Sequence, residues 1–98
     1  MSTTEYRDRV YIRKDIILKL SQYGSLNQTA LLSYCGLNLQ KHKEILDELE
    51  QKGLISKTEV HIGKKKVTEY KVTDNGIEFC GKILLPYESM FPRAHRRR

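Results

Sequence analysis

Gly63 is followed at once by Lys64, Lys65 and Lys66, and the stretch VHIGKKKVTEY (60–70) sets this triplet between two runs rich in β-branched residues. Ammonium groups crowded on a turn bury nothing and repel one another by about 1 kcal/mol per close pair in water. The chemistry they suit is neutralisation of a polyanion, with Lys57 and His61 as supports from the flanking run. A second group, Asn38, Gln40, Lys41 and Lys43, combines amides able to pair with an adenine edge and ammonium groups able to reach guanine or phosphate. A third, Arg96, Arg97 and Arg98 together with Arg93, has the composition of a basic arm.

The charge balance supports this emphasis. The 98 residues carry a formal net charge of +6, and the surplus is local: 54–72 holds five Lys or Arg against two acids, and 86–98 holds four against one. Other chemistries find little footing. His42, His61 and His95 are scattered and have no Cys/His pattern beside them, which argues against a metal site; His42 falls on an apolar stripe and reads as a packed, hydrogen-bonded side chain. The glycines form no phosphate-binding loop, nucleophile elbow or dinucleotide fingerprint. Cys35 and Cys80 are the only cysteines and read as buried thiols. A chain of this length holds one modest core, so neither an enzyme nor a cofactor-binding protein is expected. No apolar run approaches the roughly 18 residues of a membrane span, which places the chain in the cytoplasm without a membrane partner.

Three helices must position these groups. From Val10 to Tyr23 the residues Ile12, Ile16, Leu20 and Tyr23 recur every three or four positions, and Gly24 ends the helix. A short second helix runs from its N-cap Asn27 to Gly36 with Leu31, Leu32 and Cys35 inward. The third begins at its N-cap Asn38 and stops at Gly53, gathering Leu39, His42, Ile45, Leu46 and Leu49 on one stripe. With that stripe buried, the polar and cationic groups of the helix crowd its N-terminal end, where the helix dipole also favours phosphate. Glu44, Asp47, Glu48 and Glu50 would repel a duplex laid along the rest.

Two alternating runs, LISKTEVHI and KVTEYKVT, then form a β-hairpin. Thr73 or Asp74 caps a fourth helix reaching about Leu85, where Pro86 discourages continuation. The expected organisation is an N-terminal arm (1–9), a domain (10–85) and a docking segment with a basic tail (86–98).

Helix, helix, short turn, helix, hairpin, helix resembles the winged helix-turn-helix domain: an α+β fold with a three-helix core, a two-stranded wing and an additional C-terminal helix. ILDELEQKGLI (45–55), a third helix running into the first wing strand, and EYKVTDNGIEF (69–79), a second wing strand running into the last helix, are similar to the small winged-helix regulators and chromatin-associated proteins of archaea. The resemblance implies a binder of double-stranded DNA, nucleoid-associated, with the third helix in the major groove and the lysine wing on phosphates. It also implies a homodimer through terminal helices, for which Tyr11, Leu18, Ile83, Leu84, Tyr87 and Phe91 supply apolar surface. Docking on an acidic protein partner in a larger assembly, and binding of structured RNA, are the alternatives from other classes.

Overall fold

The computed structural model describes residues 9–92. Helix α1 (Arg9–Tyr23) runs through the centre, followed by β1 (Ser25–Asn27), α2 (Gln28–Cys35), α3 (Leu39–Gln51), β2 (Ile55–Ile62), β3 (Lys65–Val72) and α4 (Asp74–Phe79). A π-helical turn (Cys80–Leu84) then leads into α5 (Leu85–Met90). The fold is α+β, and its sheet is antiparallel in the order β1-β3-β2.

The core collects Ile12, Ile16, Ile17 and Leu20 from α1, Leu31, Leu32 and Cys35 from α2, and Ile45, Leu46 and Leu49 from α3. Ile55 and Tyr70 close it from the sheet, and Cys80 and Leu84 from the C-terminal helix. Both cysteines are buried thiols, and burial pushes the Cys80 thiol above its ordinary value. The helix starts follow from side-chain chemistry. Asn27 accepts from Ala30 N at 2.8 Å, Asn38 from Lys41 N at 3.2 Å, and Thr73 from Gly76 N at 3.0 Å.

The two segments on which the family resemblance rests lock onto each other. Thr73 Oγ1 donates to Gly53 O at 2.7 Å and has Leu54 O at 3.0 Å, while Thr73 N donates to Leu54 O at 3.1 Å. The wing is thereby fixed at its root to the exit of α3.

The two-stranded wing is present as expected and gains a neighbour, since Ser25–Asn27 pairs with Lys71–Glu69 as a third strand. Three expectations need correction. Pro86 does not end the fourth helix. Pro lacks the N–H of an i→i−4 bond and its ring crowds the carbonyl four residues back; the wider turn at Cys80–Leu84, closed by Leu85 N donating to Cys80 O, lets the helix pass on to Met90. Tyr23 lies outside the core and stacks on Tyr34 with ring centroids 5.2 Å apart. Leu39, one residue past its cap, is 37% exposed rather than part of the buried stripe.

Tyr11 and Leu84 do not offer free surface either. Tyr11 is buried beneath α5, its ring against Tyr87 and its hydroxyl donating to Phe91 O. The ion pair of Lys14 with Glu88 clamps the same helix onto α1. Leu84 belongs to the core.

Candidate nucleic-acid interface

At 100° per residue, burial of Ile45, Leu46 and Leu49 turns Gln40, Lys43, Glu44, Asp47 and Gln51 outward. At the front of the helix, the side chains of Gln40 and Lys41 are exposed with no polar partner among the described residues. Asn38 is less free, because its side-chain oxygen is engaged as the cap. His42 completes this start: its Nδ1 accepts the Asn38 backbone N–H at 3.0 Å and lies 2.9 Å from Asn38 O, so the ring is tied to the helix end and only half-buried.

Each acid of α3 has a cationic partner. Arg9 reaches Glu44 at 2.9 Å, Arg13 reaches Glu48 at 2.8 Å, Lys43 holds Asp47 at 2.9 Å, and Lys57 approaches Glu50 at 3.6 Å. The compensating cations come from three elements, with α1 neutralising one flank, β2 the other, and α3 itself the middle. The repulsion expected from these carboxylates is therefore largely offset. Arg9, Arg13 and Lys57 supply this compensation from outside α3. Lys43–Asp47 has a local signal, the i,i+4 spacing; the two arginines are 35 positions from their partners and have none.

These pairs perturb titration in opposite directions. The hydrogen bond and charge of Asp47 hold the Lys43 ammonium above its ordinary value, and Tyr70 and Glu50 lie within electrostatic reach of it. The Arg13 hydrogen bonds hold the Glu48 carboxyl below its ordinary value of 4.5. A depressed carboxylate contributes stability above its unfolded pKa, and that contribution is lost as the pH falls through the folded value. Arg13→Met should accordingly lower stability at neutral pH and flatten the decline below pH 4.5, as urea unfolding at stepped pH would record. An acid limb identical to the wild type would mean that the pair contributes nothing.

The wing is a two-residue hairpin. Ile62 faces Lys65 across the Gly63–Lys64 turn, with Gly63 at φ 62° and no positive φ at Lys64, the combination a II′ turn requires. Register divides the lysines. Ile55, Lys57, Glu59 and His61 share the helix-facing side with Val72, Tyr70, Thr68 and Lys66, while Ser56, Thr58, Val60 and Ile62 share the outer side with Lys71, Glu69, Val67 and Lys65. Lys66 is paired with Glu59 at 3.1 Å. Lys64 and Lys65 have no acidic partner among the described residues. The triplet is thus two free cations and one compensated cation.

The helix-facing side of the hairpin and the Lys43–Glu50 edge of α3 meet. Lys57 pairs with Glu50, Tyr70 is buried in the core with Ile45, Leu46 and Leu49 of α3, and Gln28 Nε2 donates to the Tyr70 hydroxyl at 3.3 Å. Arg96, Arg97, Arg98 and Arg93 lie outside the described residues. Among the dimer candidates, Leu18 lines a cleft of about 250 Å³ between α1 and α2, and Ile83, Tyr87 and Phe91 are exposed. No helix of the described residues is long and apolar enough to cross a membrane.

A three-helix unit whose third helix is exposed along its outer face, with a sheet-borne hairpin beside it, defines a helix-turn-helix module with a wing. The chain belongs to the winged helix-turn-helix family, whose model matches residues 6–85. Among solved structures it is similar to the PcaV transcriptional regulator from Streptomyces coelicolor, crystallised with its natural ligand. The two are 18% identical, the match covers 81% of this chain and 55% of that one, and the TM-score is 0.69. At such identity the likeness concerns the fold, and the chain spans about half the length of that regulator. No curated protein sequence matches it.

Proposed function

We propose that the protein binds double-stranded DNA as a transcription regulator or chromatin-associated protein, with the front of α3 in the major groove and the wing on phosphates. The observation that carries this reading is the neutralisation of all four α3 acids by α1, α3 and β2, which leaves Gln40, Lys41, Lys64 and Lys65 as uncompensated groups of the recognition helix and wing tip. Membership of the winged helix-turn-helix family supports it, as does the regulator with the similar fold. The module acts by binding rather than catalysis, and its place is on the nucleoid.

A salt-titrated binding series against random duplex DNA tests the reading. The logarithm of the binding constant should fall linearly with the logarithm of salt, by about 0.9 per phosphate neutralised. Salt-independent association would end it. Competition by duplex RNA at matched salt separates the RNA alternative, because an A-form duplex presents a different groove to α3.

The protein acts as a homodimer through α5 and the turn before it. Ile83, Tyr87 and Met90, spaced by four and three, line a stripe with Phe91 beside them, and all are exposed in the single chain. An isologous pairing would cover this stripe and present two wings to one duplex. Met90→Glu should convert the dimer to monomer in sedimentation equilibrium at protein concentrations on the order of tens of micromolar. A wild-type monomer at those concentrations would remove the dimer while leaving the DNA reading intact.

A further inference from the structure

The wing tip inverts the usual polarity of a sheet. Its helix-facing side carries Glu59, His61 and Lys66 near the tip, whereas its outer side carries Val60 and Val67 directly opposite each other and Ile62 beyond them. Ile62 is 62% exposed, lies outside the core cluster and stands directly opposite Lys65, beside the Gly63–Lys64 turn. A β-branched apolar side chain thus crowns the hairpin between two cations that have no acidic partner among the described residues. Such a tip suits a target that is anionic on its rails and apolar between them.

We propose that Ile62 is a wedge that enters the minor groove adjoining the groove held by α3, unstacks a base step and bends the duplex, with Lys64 and Lys65 on the phosphates at either side. The proposal rests on the duplex-DNA reading above. Reach is sufficient: seven strand steps from Ile55 to Ile62 span about 23 Å, against roughly 17 Å from one groove to the next, half a helical turn. Apolar wedges of this kind kink DNA by roughly 20–90° towards the major groove, and isoleucine is among the side chains that serve. A lipid surface shares the anionic and apolar character, but the duplex is favoured because the Lys57–Glu50 pair and the burial of Tyr70 in the core with α3 residues fix the root of the same hairpin beside that helix.

The test uses the full chain and a duplex of about 30 base pairs, a length that resists smooth bending, carrying a fluorophore at each end and 2-aminopurine at a central step. Binding is read by anisotropy, bending by energy transfer between the ends, and unstacking by 2-aminopurine emission. Wild-type protein should raise both energy transfer and emission. Ile62→Ala should abolish both while affinity changes by no more than on the order of threefold, because the bend's cost and its added contacts offset each other. Ile62→Phe should restore them. Tight binding to a duplex that stays straight and stacked, or an unchanged bend with Ile62→Ala, would overturn the wedge alone. Failure of the wild type to bind DNA would overturn the parent reading with it. Wild-type binding to phosphatidylserine vesicles that Ile62→Ala loses, with DNA geometry unchanged, would assign the tip to membranes instead.

Discussion

Gly76→Ala is expected to lower stability by about 3 kcal/mol, at the upper end of ordinary overpacking. A methyl group at this position would lie 2.0 Å from Leu54 O and 2.8 Å from Val72 Cγ2. The first contact is with backbone, so no rotamer change can relieve it. The backbone in question also accepts from Thr73, so relief would break the junction that fixes the wing to α3. For a domain of this size the corresponding fall in midpoint is roughly 12–24 °C, readable by circular dichroism. Gly81 supplies the control. Nothing lies within 4 Å of a Cβ there, and Gly81→Ala should be neutral or stabilising by up to about 1 kcal/mol through the unfolded state. Equal midpoints for the two variants would show that the close approach of α4 to Leu54 is not a constraint.

Replacement of Lys64 and Lys65 together by alanine should flatten the salt dependence of DNA binding by about 1.8 in the log–log slope. At about 0.1 M salt the same counterion term implies an affinity loss on the order of 10- to 100-fold. Lys66→Ala should do much less, because Glu59 at 3.1 Å already offsets that cation and its removal leaves a carboxylate facing α3. The contrast between adjacent lysines makes the experiment specific. Uniform loss of cationic charge would affect all three alike, whereas alternation along a strand places Lys65 and Lys66 on opposite sides. Equal effects of Lys65→Ala and Lys66→Ala would contradict the division of the triplet.

What could be read from the chain alone was whatever local chemistry determines. Asn27, Asn38 and Thr73 cap helices because each oxygen needs only an N–H three residues away. The hairpin announced itself through alternation and Gly63, and the i,i+4 spacing of Lys43 and Asp47 is a local signal of the same kind. Features that depend on distant partners were not legible. Three residues at Ser25–Asn27 have no period of their own and become a strand only because β3 offers an edge. The partners of Glu44 and Glu48 stand 35 positions earlier, so the acids of α3 read as repulsive when the fold neutralises them. Tyr11 read as free surface because the chain that covers it lies 80 positions away. Pro86 misled for a different reason: a rule about one residue ignored a compensating turn begun six residues before it.

Among the described residues the hairpin is held at its root, by Ile55, Tyr70, the Thr73 junction, the pairing with Ser25–Asn27 and the Lys57–Glu50 contact, and projects beyond them as a cantilever. Its length is for that reason open to change in one increment and closed in another. Two residues added to each arm would carry Ile62, Lys64 and Lys65 further out with their orientation kept, while one added to each would roll the tip over and present the isoleucine towards the protein. Natural or engineered variants that retune how far this module leans across a duplex should therefore differ by even numbers per arm.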